Sequence, residues 1–231
     1  MNPVLLPLAA AQGLWVRART ERLPPASGDT RGSVGPVAER SLRLGVVGES
    51  TAAGCGVATH AEGFPGRLAR ILAERTGGEV AWEVVGHDGA TARRIRHRLL
   101  ARLSDDLDVA VLLSGVNDTL GRRAPEEWAT DLSAIVDDLA RRARFVVVAG
   151  IPPFAAFPGV PKPLGWYLAE RAAALDAESR RVCGAHPAVT WVSSVDAVPV
   201  GPEFFARDRF HPSGTGYGHW ATLVADHVPS G

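Results

Sequence analysis

Leu42-Arg43-Leu44-Gly45-Val46-Val47-Gly48-Glu49-Ser50-Thr51-Ala52-Ala53-Gly54 decides how the chain is read. It opens as a mostly apolar run of strand length, and the glycine that ends the run starts a tight turn carrying a serine. Four later runs repeat the pattern, at Val80 to Val85, Val109 to Leu113, Phe145 to Ala149 and Thr190 to Val192. Between them apolar residues recur at helical spacing, at about Phe64 to Arg75, Thr91 to Leu103, Pro125 to Arg142 and Leu164 to Val182, with a last stretch from about Gly214 to His227. Such alternation favours a parallel sheet covered on both faces, because each right-handed crossover lays a helix across the sheet. The expectation is a three-layer α/β sandwich with a five-stranded parallel sheet. Ligands in such folds bind beyond the carboxyl ends of the strands, so chemistry is expected in the loops at Gly48, Gly86, Ser114, Gly150 and Ser194.

The composition sets outer bounds. Of 231 residues 46% are apolar, enough for one full core, and 25 Lys plus Arg balance 25 Asp plus Glu. A neutral chain has no electrostatic footprint for nucleic acid. Cys55 and Cys183 follow no metal or redox spacing and are read as reduced thiols. Residues 1–40 form a separate unit: an apolar start, a basic stretch (Arg17, Arg19, Arg22) and a Pro/Gly/Ser-rich linker from Leu23 to Gly35. Residues 41–231 are then the main domain, where the chemistry is expected. The Val4 to Ala11 stretch has no basic residue before it and is interrupted by Pro7, so it makes a poor secretory signal. A cytoplasmic protein is the simplest expectation.

Ser50 ends its strand in a turn where a nucleophile could sit, although a helix N-cap serine explains the same residue. A serine hydroxyl needs a base. Of seven histidines, His211 alone lies in a loop before the terminal helix with a carboxylate three residues earlier, in Asp208-Arg209-Phe210-His211-Pro212. Asp208 could hold one imidazole nitrogen while the other faces the serine; a solvated loop histidine and a capping carboxylate are the plain alternatives. Donors for an oxyanion are offered by the Gly89 backbone N–H and by Asn117 in Ser114-Gly115-Val116-Asn117-Asp118. Both residue types also suit ordinary βα turns. Each fragment is weak, and it is their order along successive strand ends that carries weight.

Together, Gly48-Glu49-Ser50, Gly89, Gly115-Val116-Asn117-Asp118 and Asp208-Arg209-Phe210-His211-Pro212 resemble the four sequence blocks of the SGNH (GDSL-type) hydrolase superfamily. The resemblance covers residues 42 to about 228 and implies a flavodoxin-like sandwich. It also implies Ser50 as nucleophile, a triad completed by His211 and Asp208, and an oxyanion hole of the Ser50 and Gly89 N–H groups with the Asn117 amide. Two departures stand out: the family's Gly-Asp-Ser is here Gly48-Glu49-Ser50, and Val84 replaces an Asn in the second block. Neither position makes a bond to substrate, so what they alter is how the loops are tied together.

The resemblance implies ester hydrolysis with no cofactor and no metal. Thioester cleavage, sugar O-deacetylation, phospholipid hydrolysis and acyl transfer use the same parts, and a decayed binding module is the reading from another class. A small-molecule, short-chain acyl ester is the expected substrate, since no long apolar insertion for a fatty chain is evident. The Pro-rich stretch from Ile151 to Tyr167 follows the fourth strand, so Phe154 and Phe157 could wall an acyl group, with His87 beside Gly89 lining the site. His219 and His227 are read as packing or surface residues rather than metal ligands. The N-terminal stretch could lie on a membrane surface; Pro3, Pro7 and Gly13 argue instead for a helix docked on the catalytic domain or on a second copy, with neither stable membrane attachment nor insertion.

Overall fold

The computed structural model describes residues 3–195 and 201–229. After a first helix, α1 (Leu6–Arg19), come strand β1 (Arg31–Val34), strand β2 (Leu42–Gly48), helix α2 (Phe64–Thr76) and strand β3 (Val80–Gly86). A short helix α3 (Ala92–Arg94) runs into a widened turn at Ile95–Leu99 and a tight one at Leu100–Arg102. Strand β4 (Leu107–Leu113), helices α4 (Val116–Leu120) and α5 (Pro125–Arg142), strand β5 (Ala143–Ala149), helix α6 (Lys162–Cys183), strand β6 (Val189–Val192) and helix α7 (Gly214–Ala225) complete the order.

The sheet order is β1-β3-β2-β4-β5-β6, and all pairs from β3 to β6 are parallel. The five expected strands and the three-layer sandwich are therefore present. Strand period 2 divides the core. Leu44, Val46, Val109, Val111, Val84 and Val147 face α2 and α7. Val47, Val85, Ala110, Leu112, Val146 and Val148 face α5, α6 and the irregular third helix.

Two expectations need correction. The sheet has six strands, because Arg31–Val34, read as linker, pairs antiparallel with β3 from Arg31↔Glu83 to Val34↔Val80. Arg31 also bridges Glu83 at 3.0 Å, and Gly32 leaves room for the Trp82 ring, which a Cβ there would meet at 2.7 Å. Upstream, Ala26 N–H donates to Ala53 O (2.9 Å) and Ser27 N–H to Ala58 O (2.9 Å), so the linker straps the loop that carries Ser50. The third helix runs without a gap from Ala92 to Arg102 but not at one pitch: Ile95, Leu99 and the adjacent Leu100, in its widened and tight turns, are all buried.

Helix α5 shows how sequence dictates placement. Pro125 supplies a preset first turn with Glu126 and Glu127, while Arg141 and Arg142 sit at the other end, each charge opposing the local helix dipole. Its buried Trp128, Leu132, Ile135, Val136 and Leu139 fall on one stripe against the sheet.

Candidate active site

Strand β2 ends with Gly48 because nothing larger fits: a Cβ there would lie 2.1 Å from Leu113 O on β4. Gly86 at the end of β3 is held to glycine in the same way, its Cβ position lying 2.2 Å from Ala53 N. The loop after β2 therefore packs directly on the strand ends. Within it, Ala53 N–H bonds Glu49 O (2.9 Å) and Cys55 N–H bonds Ser50 O (3.0 Å), while the buried Tyr217 on α7 donates its hydroxyl to Cys55 O at 2.7 Å. Ser50 is thereby fixed at the carboxyl edge of the sheet.

The loop before α7 closes on itself through a bridge between Phe205 and Pro212 and a bond from Ala206 N–H to His211 O (2.8 Å). Arg209 takes φ 59° to complete the turn, a left-handed conformation uncommon for a side chain of its size. In that turn Asp208 Oδ1 accepts from the Phe210 and His211 N–H groups, each at 3.0 Å. Asp208 Oδ2 lies 2.6 Å from His211 Nδ1, and His211 Nε2 lies 3.0 Å from Ser50 Oγ. Burial by itself would raise the Asp208 carboxyl. The His211 hydrogen bond, the two N–H donors and the neighbouring imidazole outweigh it and hold the group below its ordinary value.

Gly89 sits at φ 73°, where a Cβ would meet no atom within 4 Å, so backbone conformation rather than crowding demands glycine there. Asn117 Nδ2 donates to Glu49 Oε2 at 2.7 Å and to Ala90 O at 3.2 Å. Glu49, the departure from the usual aspartate, does tie loops together, as its longer reach suggests. Its carboxylate also accepts the Val116 and Asn117 N–H groups at 3.1 Å each, tying the Ser50 loop to the start of α4. Burial pushes its carboxyl up to about 8, with the Val116 and Asn117 donors pulling the other way. Asp118, beside it, is wholly buried and accepts from Ala92 N–H at 2.8 Å.

Glu49→Ala leaves those buried donors without an acceptor, at about 1–3 kcal/mol for each. We expect a fall in Tm of several degrees together with at least a tenfold loss of kcat on any ester the parent turns over, with Glu49→Gln between the two. Because the folded value is raised, the stability Glu49 contributes is full below its ordinary value of 4.5 and is lost as pH climbs through about 8. Melting curves at pH 6 and pH 9 check this: Glu49→Gln should lose less than the parent over that interval, and an equal loss would remove Glu49 from the account.

The residues expected along an acyl wall separate. Phe157 borders the cavity beside Ser50, together with Val116, Pro152, Phe204 and Phe210. Phe154 is fully buried behind it, ring centres 5.3 Å apart. His87 turns outward, its Nε2 2.9 Å from an Arg94 nitrogen. Phe204 and Phe210 gave no sequence signal because one ends a single tight helical turn and the other stands in a loop, segments too short for a period to betray them. Among the described residues one group could hold a metal ion: Cys55, Asp88 and His211, with ligand atoms within 4.8 Å of one another. Its thiol is pushed up to about 12, chiefly by burial, so it is protonated at neutral pH.

The model of the GDSL-like lipase/acylhydrolase family matches residues 46–219, well over half of the chain. The chain belongs to that family. A GDSL-like esterase of Mycobacterium tuberculosis is 32% identical over 197 residues, covering 79% of this chain; the chain spans 60% of that relative's length. Among solved structures, a lipase/acylhydrolase of Enterococcus faecalis matches with a TM-score of 0.61 at 22% identity, over 81% of this chain and 95% of that one. An acetyl xylan esterase of Geobacillus stearothermophilus matches with a TM-score of 0.59 at 16% identity, over 81% and 94%. At those identities the likeness is one of fold. The resemblance seen in the sequence blocks is thus confirmed at the level of the GDSL-like family.

Proposed function

We propose that this protein is a serine carboxylic ester hydrolase. The observation that carries the reading is the unbroken hydrogen-bonded line from Asp208 through His211 to Ser50 at the carboxyl edge of the sheet. Ser50 Oγ attacks the ester carbonyl as His211 Nε2 takes its proton; Asp208 holds the imidazole in the matching tautomer and stabilises the imidazolium. His211 then returns the proton to the leaving alcohol, and water releases the acyl group by the same path reversed. The Ser50 and Gly89 N–H groups and the Asn117 amide stabilise the oxyanion. For Asn117 to donate, the longer of its two bonds, to Ala90 O, gives way while the shorter one keeps it anchored to Glu49.

The acyl group is short. Beside Ser50 the Phe157, Phe204 and Phe210 rings border a cavity of only about 20 Å³, which leaves no deep enclosed channel for a long chain. A series of p-nitrophenyl esters tests this: acetate and butyrate are turned over best, and kcat/KM falls at least about tenfold by octanoate, the cost of forcing extra methylenes into a packed wall. A rate that climbs with chain length would overturn the short-chain reading. No step requires a metal, so turnover is unchanged by EDTA.

A further inference from the structure

Helix α1 docks on α6 through one face only. Val16 packs against the core, Gln12 Oε1 accepts the Leu164 N–H at 3.1 Å, and Ala9 is the helix's one buried residue. At 100° per residue Ala9, Gln12 and Val16 share a side, and Pro7, Ala11, Leu14, Trp15 and Ala18 share the opposite one. All five of the latter are exposed, Leu14 by 73% and Trp15 by 51%. That outward face carries no charge, but Arg17 and Arg19 border it on its two sides and Arg22 follows. The first acidic residue of the chain is Glu21, which is paired with Arg207.

A solvated helix does not need an uncharged face with an exposed leucine and tryptophan, and a packed one would bury it. The bordering charges decide what covers it. In a symmetric contact with a second copy, the arginines of one chain would meet those of the other with no carboxylate on the face to neutralise them. An anionic lipid surface satisfies both features: apolar side chains enter the headgroup boundary, with the tryptophan at its preferred depth, and the arginines meet phosphates. We propose that α1 is an interfacial helix that lays Leu14 and Trp15 on an anionic membrane surface while its opposite face stays docked on α6. Among the described residues no helix is long and apolar enough to cross a membrane. Contact through a helix that stays docked on α6 is peripheral, and salt weakens it because arginines at the surface are screened. Docking and lipid contact, alternatives when the stretch is read as a sequence, use opposite faces of the same helix.

Flotation of the intact chain tests this with vesicles of phosphatidylcholine alone and of phosphatidylcholine mixed with phosphatidylserine. The protein should float with the mixed vesicles at low salt, stay down with phosphatidylcholine alone, and be released by high salt. The double substitution Leu14→Glu, Trp15→Glu should reduce the floated fraction at least tenfold, with turnover of a soluble ester and the circular-dichroism spectrum unchanged. Absence of flotation with the mixed vesicles, or flotation that survives the double substitution, would overturn the proposal. So would a dimer in light scattering that the double substitution dissolves without any flotation of the parent, which would assign the face to a second copy.

Discussion

Ser50→Ala is expected to lower kcat on the best ester of the series by on the order of 10⁴-fold or more while the fold stays intact. The hydroxyl is the bond-forming atom in the proposed mechanism, and the Cys55 thiol cannot replace it, being buried and protonated at neutral pH. What survives is the stabilisation an oxyanion hole gives to attack by water. Ser50 is itself buried and makes its side-chain contact to His211, so losing one oxygen should move Tm by only a few degrees. Circular dichroism and steady-state kinetics on the same preparation separate the two quantities. A variant that keeps near-parental turnover would show that the chemistry lies elsewhere.

Asp208→Asn is expected to cost nearly as much, about 10⁴-fold in kcat near neutral pH. An asparagine in the Oδ2 position can offer its amide to His211 Nδ1, selecting the tautomer whose Nε2 carries the proton and cannot accept one from Ser50. Loss of the negative charge also removes the partner that stabilises the imidazolium. The Oδ1 position still accepts the Phe210 and His211 N–H groups, so the turn should hold its shape. The folded Asp208 value is lowered, which means its contribution to stability is present above the ordinary carboxylate value and is lost as pH falls through the folded value. The parent should therefore lose this share of Tm in acid, and the Asn variant should not. Kinetics across pH, paired with melting curves, check both halves; a variant with normal kcat would make Asp208 a bracing residue only.

The fold was legible because its strands are buried on both faces and read as continuous apolar runs between glycines. Val46, Val47, Val111 and Leu112 announce themselves without any knowledge of what they touch. Strand β1 escaped because it is the reverse case: four residues at a sheet edge, three of them exposed, with Gly32 chosen for the Trp82 ring beside it. No alternation exists in such a segment to be read. The start of β4 escaped for a related reason, since Asp108 interrupts the apolar run and is there to accept the Arg43 N–H at 2.9 Å.

The site was legible wherever a residue type is itself the chemistry. A serine at a strand end and an aspartate and a histidine in the loop before the last helix can be picked out one by one, and geometry decides only whether they meet. Glu49 shows the limit. Its departure from the usual aspartate is visible in the sequence, but its function depends on reaching Val116 and Asn117, 67 and 68 residues away. Local pattern carries no record of that span. His87 shows the converse: it is adjacent to Gly89 in sequence, yet its ring is exposed with Nε2 2.9 Å from an Arg94 nitrogen.

The central claim is that Ser50 is a nucleophile activated by His211, and covalent capture tests it most directly. The intact protein is treated with a fluorophosphonate at neutral pH, and the adduct is located by mass spectrometry of the peptides. The account predicts one adduct per chain, on Ser50, forming more slowly in Asp208→Asn and absent from Ser50→Ala. An adduct on another residue, or no adduct on a preparation that turns over esters, would contradict it.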